Sequence, residues 1–580
     1  MTTPDISADL FARYTVAGDH ARSDYTGLIK ALVEKNRQDG TKNIWQPAIA
    51  AAYELLLREI RENHNDPAQA VSFGTSGWRG KLGKDIYVRS VALVTEAILQ
   101  MYSEAEADPD LRRLLGMHNL AEARQRGCVL GFDNRFAGPL LAATVAQTLA
   151  KNGFTVHYAG ESTTGVLSAA VIELGAAFSI NLTPSHNPLE YGGYKFNAAD
   201  AGPAATQVTE RITEGAARLL AEGFMPDLEP VGLAEVMAAF PQVRQFDALA
   251  LWKKLVRDNG SRHGLDLDRA IAAFSLRKDM VVAVDSVHGA SRLHIRKLFG
   301  NCQSPTLIVL RDSADVTFGG VAPEPSTANM RQVVQLLRER PEPLKLGAII
   351  DPDGDRIRFT DGTKEIGMNQ FGAMAYHFLH EHKKKKGLVA KTVATSNLAN
   401  SIAAAFGEEL FEPPVGFKNF KPVIDRALVF FEESDGISVT GHTPEKDAYI
   451  GLLLALEMML ATSMNLGDYL AAIEKEFGAF YPERDGVEVS IKGEQLLSQL
   501  AGLEKYGPGS MVMVGGESRR ISQVITSDGR KMVFEDGSWL MIRPSGTEPK
   551  VRFYVESRDS AGTKDLVATA KSMLAETGIL

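Results

Sequence analysis

The chain has 580 residues, a formal charge of −9 and 44% hydrophobic residues, enough for three or four domains with full cores. The modest acidity argues against a nucleic-acid binder that works through bulk positive charge, while leaving room for a local basic pocket that takes an anionic small molecule. Two distant cysteines, Cys128 and Cys302, make neither a disulfide framework nor a metal cluster and read as buried thiols of a reducing compartment.

Met1 to Leu10 lacks a basic segment followed by an apolar core, and no stretch is a long uninterrupted apolar run. Neither a signal peptide nor a membrane span is expected, and the cytoplasm is the default. Residues 1–70 read as a helical extension. Ile49, Tyr53, Leu56 and Ile60 recur at helix spacing with charges between them, which predicts packing or an oligomer contact and no chemistry. The stretch Phe73-Gly74-Thr75-Ser76-Gly77-Trp78-Arg79-Gly80 is either a surface turn or a flexible loop that approaches an anion, with Arg79 as a two-pronged donor.

From Gly127 the pattern alternates. Gly127 to Phe132 is a predicted strand ending in Asp133-Asn134-Arg135. A helix over Leu140 to Asn152, a strand over Phe154 to Tyr158, a helix over Thr164 to Leu174 and a strand from Ala177 to Leu182 follow. This β-α-β-α-β order predicts a parallel sheet with covering helices. The order recurs. Asp279 to Val284 is a strand, a helix lies around Ser291 to Phe299, Thr306 to Leu310 is a strand, Thr327 to Glu339 a helix and Leu346 to Ile350 a strand. A third round runs through a strand at Leu388 to Thr392, a helix after Asn397, a short strand near Leu410, a helix after Asn419 and a strand at Leu428 to Phe431. The last hundred residues differ: strands at Val487 to Ile491, Gly509 to Val514, Lys531 to Phe534 and Ser538 to Ile542, then a helix over Asp565 to Glu576, read as an α+β domain. The expected divisions are 1–70, 71–225, 226–366, 367–477 and 478–580.

Each round ends in a polar loop, where open α/β sheets bind ligands. The first is Thr183-Pro184-Ser185-His186-Asn187-Pro188, in which Ser185 is either a nucleophile or an ordinary turn residue. The second is Asp351-Pro352-Asp353-Gly354-Asp355-Arg356. Three crowded carboxylates repel and need a cation, and an incomplete shell of hard oxygens suits Mg²⁺ sharing substrate phosphate oxygens; a solvated acidic turn is the alternative. The EF-hand pattern is absent. Arg356 would meet a phosphate. The third loop, Glu432-Glu433-Ser434-Asp435-Gly436, suits sugar hydroxyls, a general base or a helix cap, and Lys446-Asp447 beyond it caps the next helix or faces the substrate. Arg543-Pro544-Ser545-Gly546-Thr547 is a phosphate clamp or a hairpin turn. His186 and His288 are proton shuttles or structural histidines. Lys383 to Lys386 reads as a solvated helix end.

Together these loops resemble the α-D-phosphohexomutase superfamily, over about residues 71–580 and in the family's order. The resemblance implies three consecutive α/β units with mixed, largely parallel sheets plus a C-terminal α+β domain around a central cleft. It implies a phosphoserine at Ser185, Mg²⁺ held by Asp351, Asp353 and Asp355 with Ser185, sugar contacts from Glu432 and Ser434, and the distal phosphate on Arg543, Ser545, Gly546 and Thr547. By the same analogy Arg79, Lys195 and His186 line the reaction site, Lys446 is a general acid or base, and Gly416 and Lys418 orient the substrate. The implied reaction interconverts hexose 1- and 6-phosphates, glucose first, through a hexose 1,6-bisphosphate, in a monomer or homodimer with no nucleic-acid or membrane partner. Pro184, Phe431, Asp435 and the stretch Val415 to Lys418 depart from the family pattern. They leave the choice among glucose, mannose and pentose phosphates open, and the altered sugar loop also admits a synthase that releases the bisphosphate. Since fold alone does not fix function, a non-catalytic sugar-phosphate binder is the alternative of another class, against which the retained serine and aspartates argue.

Overall fold

The run Cys128–Phe132 is apolar throughout because both of its faces are covered. Cys128, Leu130 and Phe132 join one core with Leu141, Val145 and Leu149 of the helix Gly138–Lys151, while Val129 joins another with Val166 and Ala170 of the helix Thr164–Leu174. That alternation is the two-residue period of a strand. The structure is a computed structural model and describes residues 4–40, 43–74, 77–229, 231–301, 304–491, 493–545 and 550–580. Cys128 is a buried free thiol, and Cys302 lies outside the described residues.

The first sheet contains β1 (Trp78–Lys81), β2 (Cys128–Phe132), β3 (Val156–Glu161), β4 (Phe178–Leu182), β5 (Tyr191–Ala198) and β6 (Val243–Gln245), in the order β1-β5-β4-β2-β3-β6. Strand β6 lies beyond residue 225, so the first sheet draws on chain past that expected division. The second sheet, order β11-β10-β9-β7-β8, holds β7 (Met280–Asp285), β8 (Leu307–Leu310), β9 (Leu344–Ile350), β10 (Ile357–Thr360) and β11 (Glu365–Ile366). The third, order β13-β12-β14-β15, holds β12 (Leu388–Lys391), β13 (Leu410–Phe411), β14 (Ala427–Glu432) and β15 (Gly436–Val439).

One plan underlies all three. A parallel triplet places its first strand in the middle (β4-β2-β3, β9-β7-β8, β14-β12-β13), and the third strand turns back into an antiparallel neighbour, β5, β10 or β15. The serine, aspartate and glutamate loops are those three hairpin connections. The return strands escape sequence reading. Gly192-Gly193 inside β5 looks like a turn, yet a Cβ at Gly193 would lie 2.3 Å from the Thr183 carbonyl oxygen, so the close backbone approach requires glycine.

Two expected helices are shorter than their patterns suggest. Ser291 to Phe299 is a 3-10 turn, Ala290–Leu293, followed by the single turn Ile295–Leu298. The expected helix after Asn419 is reduced to turns: the chain makes a 3-10 turn, Phe417–Phe420, whose aromatic rings pack on Phe430, and reaches β14 through further turns with no α-helix. The helix Ala448–Thr462 is apolar all round because nearly all of it is buried. Among the described residues no single helix is long and apolar enough to cross a membrane.

The extension forms helices Pro4–Tyr14, Tyr25–Gln38 and Gln46–Glu62. Ile49, Tyr53, Leu56 and Ile60 are buried in the core of the first unit, so the predicted apolar face packs within the chain. The C-terminal domain is an antiparallel sheet, β16-β21-β20-β19-β18-β17, of β16 (Tyr481–Glu488), β17 (Met511–Val514), β18 (Glu517–Ile525), β19 (Arg530–Phe534), β20 (Trp539–Pro544) and β21 (Lys550–Ser557), covered by the helix Ser560–Glu576. The expected strand at Val487 to Ile491 is displaced to the mostly exposed edge strand β16, and β18 was not expected. Edge and half-exposed strands carry charges that erase the apolar signal.

A buried polar cluster joins the third sheet to this domain. Lys391 Nζ donates to Glu412 Oε2 (2.6 Å) and to the Thr395 carbonyl (3.0 Å). Lys531 Nζ donates to the Val393 carbonyl (2.8 Å) and sits 4.3 Å over the Trp539 ring. Burial, then the charge of Lys391, lowers the Lys531 ammonium to about 8 against an ordinary 10.5. Between those two values the unfolded chain binds more protons at this site, so the Lys531 contribution to stability rises with pH. The stability difference between the parent and Lys531→Met is therefore expected to move in the parent's favour by about 1–2 kcal/mol from pH 8 to pH 10. Urea unfolding of both proteins at the two pH values checks this; a constant difference refutes it.

Candidate active site

Ser185 follows β4 with a left-handed backbone, φ 55°, and is 1% exposed. A polar residue in that region is uncommon and is held there by its surroundings. Thr183 Oγ1 accepts the Ser185 backbone N–H (2.8 Å) and donates to Asp133 Oδ2 (2.6 Å). Arg135 donates to the carbonyls of Ser185 (2.7 Å), Asn187 (2.6 Å) and Pro188 (2.7 Å). The Ser185 hydroxyl then points across the unit boundary and donates to Asp351 Oδ2 at 2.8 Å.

The second hairpin brings Asp351, Asp353 and Asp355 together, each at most 1% exposed, with one ligand atom from each lying within 4.8 Å of the others. Gly354, φ 63°, makes the turn against the first unit, where a Cβ would lie 2.5 Å from Thr163 Cγ2. The carboxylates divide their oxygens. Asp351 Oδ1 accepts the backbone N–H groups of Asp355 and Arg356, both at 3.0 Å. Asp353 Oδ2 accepts from Lys195 Nζ (2.5 Å) and Thr164 Oγ1 (2.8 Å), and Asp355 Oδ2 accepts from Lys195 Nζ (2.8 Å). Asp353 Oδ1 and Asp355 Oδ1 are buried with no hydrogen-bond partner. Buried acceptors are seldom left so. Two orphaned carboxylate oxygens beside an accepting third form a hard-oxygen donor set that fits Mg²⁺.

The charges around the triad are unequal. Burial first, then Asp353 and Asp355, pushes the Asp351 carboxyl well above the usual carboxylate range. Burial acts the same way on Asp355 but is outweighed by Lys195, Lys446 and Arg356, which hold it well below that range. Burial would lower Lys195 and Lys446. Asp353 and Asp355 outweigh it at Lys195, and Asp355 and Glu432 at Lys446, so both ammonium groups are held above their ordinary value. Burial, then Arg356 and Arg79, drives His186 well below its ordinary value; its Nδ1 lies 3.3 Å from Ser185 Oγ.

The third hairpin adds Glu432, whose Oε1 accepts from Ser434 Oγ (2.7 Å) and Lys446 Nζ (3.4 Å). Lys446 Nζ also lies 3.4 Å from Asp355 Oδ2, so it links the second and third hairpins. Glu433 is instead committed to Thr392 and Thr395. The helix-cap role falls to Asp447, which accepts from Tyr449 N (2.7 Å), and the residue facing the cluster is Lys446. Arg79 lies on β1, not in a loop, and donates to Asn187 Oδ1 (2.7 Å). Arg356 Nε lies 3.7 Å from Asp355 Oδ1.

The structure thus brings Ser185, His186, Arg79, Lys195, the three aspartates, Arg356, Glu432, Ser434 and Lys446 into one cluster. Other expected residues stand apart from it. Lys418 Nζ donates to Thr206 Oγ1 (2.7 Å) in the first unit, next to Gly416 with φ 121°. Arg543 Nε donates to Asp528 Oδ1 (3.1 Å), while Asp528 Oδ2 accepts from Val415 N (2.9 Å), so one carboxylate ties the C-terminal loop to the Gly416 loop. Ser545 N donates to the Lys550 carbonyl (2.8 Å). Gly546 and Thr547, like Thr75 and Ser76, lie outside the described residues. His288 Nδ1 binds the Ser313 carbonyl (3.0 Å) and takes no part. Lys383 pairs with Glu457 and so does more than end a helix in solvent. Sequence reading missed Asp133, Arg135 and Thr164; the signal for the first two is their place at the carboxyl end of β2.

Four family models match in succession: the phosphoglucomutase/phosphomannomutase alpha/beta/alpha domains I (residues 70–221), II (239–364) and III (368–477), and the C-terminal domain (489–571). The chain is 26% identical over 533 residues to phosphoglucomutase 1 of Drosophila melanogaster, covering 85% of this chain and 91% of that protein. It is 26% identical over 514 residues to the cytoplasmic phosphoglucomutase of Pisum sativum, covering 77% and 86%. Its fold resembles the open form of the phosphoglucomutase parafusin from Paramecium, with a TM-score of 0.67 at 20% identity, covering 89% of this chain and 96% of that one.

Proposed function

The chain belongs to the α-D-phosphohexomutase superfamily and is a phosphotransferase of the mutase type; from that premise we propose that it interconverts hexose 1-phosphate and hexose 6-phosphate, glucose first, through phospho-Ser185 and a hexose 1,6-bisphosphate. The observation that supports this most directly is the 2.8 Å bond from Ser185 Oγ to Asp351 Oδ2, which sets a candidate nucleophile against the carboxylate cluster.

In this reading the sugar's free hydroxyl attacks the phosphorus of phospho-Ser185. A P–O bond to the sugar forms, and the bond to Ser185 Oγ breaks. After the bisphosphate turns over, its other phosphoryl group returns to Ser185 by the reverse exchange. Asp351, Asp353 and Asp355, with the Ser185 oxygen, would hold Mg²⁺, which when bound offsets charge on the transferring phosphoryl group. Lys195 keeps the buried carboxylates from repelling one another. His186, 3.3 Å from Ser185 Oγ, and Lys446, beside Glu432, are the proton carriers for the exchanging hydroxyls. Glu432 and Ser434 meet sugar hydroxyls. Arg543 and Ser545, with Gly546 and Thr547, take the non-reacting phosphate, with Gly416 and Lys418 orienting the sugar. The protein acts in the cytoplasm, as the Pisum sativum relative's name describes for that enzyme.

The test supplies purified protein with Mg²⁺ and a trace of glucose 1,6-bisphosphate, and follows glucose 1-phosphate and mannose 1-phosphate to their 6-phosphates. Turnover of either sugar, abolished by a chelator and restored by Mg²⁺, is the expected result. Failure on both sugars overturns the hexose assignment.

A further inference from the structure

The four domain matches begin at residue 70, yet the helices before it reach the serine loop. That loop is held at three places. At its start Thr183 is tied to Asp133, and at its centre Arg135 gathers three carbonyls. At its end Glu190 Oε1 accepts from Lys30 Nζ at 2.7 Å, and Lys30 belongs to the helix Tyr25–Gln38. The Glu190 carboxylate is 9% exposed, its other oxygen is buried without a hydrogen-bond partner, and Lys30 is its ion-pair partner among the described residues.

The same helices also press on what holds Arg135. The Arg135 guanidinium lies 4.5 Å from the centre of the Phe318 ring, in a turn of the second unit. The helix Tyr25–Gln38 packs on that turn so closely that a Cβ on Gly320 would lie 3.1 Å from Val33 Cγ1. From the next helix, Gln46–Glu62, the Tyr53 ring sits 4.4 Å from the ring of Phe136, the residue after Arg135. Asn134, the residue before it, donates to the Asp315 carbonyl (3.1 Å) in the second unit. The extension, the segment 133–136 and the turn 315–320 therefore form one continuous support under residues 183–190.

We propose that the helices Tyr25–Gln38 and Gln46–Glu62 are a positioning brace for the nucleophile loop, with Lys30 fixing its end through Glu190 and Tyr53 and Val33 fixing the Arg135 clamp, so that Ser185 is held at Asp351. The kinetic consequence rests on the mutase reading above; the structural consequence does not. A small misplacement of a reacting group is enough to cost much of the rate while binding persists.

The experiment uses the full chain and three variants: Lys30→Glu, Glu190→Lys and the double exchange. Two readouts are followed, kcat and KM on the sugar phosphate that the parent converts, and hydrogen–deuterium exchange of the peptide spanning 183–190. Each single variant is expected to lose about tenfold or more in kcat with KM within about twofold, and to exchange faster in 183–190 but not in the C-terminal sheet. The double exchange restores both. Parental kcat and parental exchange in the single variants, or a double variant as impaired as the singles, overturns the brace. Should Lys30→Glu fail to fold, Lys30→Met removes the ion pair without repulsion and carries the same expectation. A parent that converts no sugar phosphate refutes the mutase reading alone, and the exchange readout still decides the brace.

Discussion

Ser185→Ala lowers turnover by about four orders of magnitude or more, with little change in fold. On the proposed phosphoserine mechanism Ser185 has no substitute in the site, and catalysis by units of this kind collapses when one member is removed. Alanine fits the same buried space and leaves Thr183 and Arg135 holding the loop through its backbone. What disappears is the hydroxyl and its 2.8 Å bond to Asp351. The check is a coupled assay on glucose 1-phosphate run beside a thermal melt, together with transfer of labelled phosphate from the bisphosphate to protein. Labelled parent and unlabelled, inactive, folded variant is the expected pair. A variant within tenfold of the parent removes Ser185 from the chemistry.

Asp353→Asn is expected to raise the Mg²⁺ concentration needed for half-maximal rate and to lower turnover at saturating Mg²⁺ by about 10²–10³-fold. Asparagine keeps the shape of the side chain and can still accept through its oxygen. It removes the negative charge of Asp353 and puts an NH₂ group at one of the two carboxylate positions. If the amide oxygen keeps the Lys195 and Thr164 bonds now made to Oδ2, the NH₂ replaces the orphaned Oδ1. Lys195, which now neutralises Asp353 and Asp355 together, is left with Asp355 as its full counter-charge. A magnesium titration at fixed sugar phosphate reads both effects. An unchanged metal dependence excludes Asp353 as a ligand.

The loops were legible because they concentrate residue types that regular structure does not tolerate. Asp351, Asp353 and Asp355 around Gly354, and Ser185 between two prolines, interrupt apolar strands, and β4, β9 and β14 do end where these loops begin. The helices Thr164–Leu174 and Thr327–Glu339 lie where their patterns place them, since each has a buried face and a clear stop. Return strand β5 was not legible: Gly193 answers a close approach to Thr183, and Gly192 one to Leu82 and Ile86, that only the folded chain contains. The same holds for Arg135. Nothing local to Asp133-Asn134-Arg135 says that its guanidinium will meet carbonyls 50 to 53 residues away. The charged strands β16 and β18 were hidden for a simpler reason, since one face of each meets solvent.

The sharing of the cluster among three hairpins also sets a timetable for its appearance. Ser185 and Asp351 are 166 residues apart in the chain. At about 5–20 residues per second of synthesis, roughly 10–30 s separate the emergence of one from the other. Lys446 follows Asp355 later still, from a third unit. A growing chain therefore displays its serine hairpin before any aspartate hairpin can meet it, and a nascent or truncated product ending before residue 351 holds the serine without its partner. The cluster of Ser185, the three aspartates and Lys446 is therefore complete only after residue 446 has emerged.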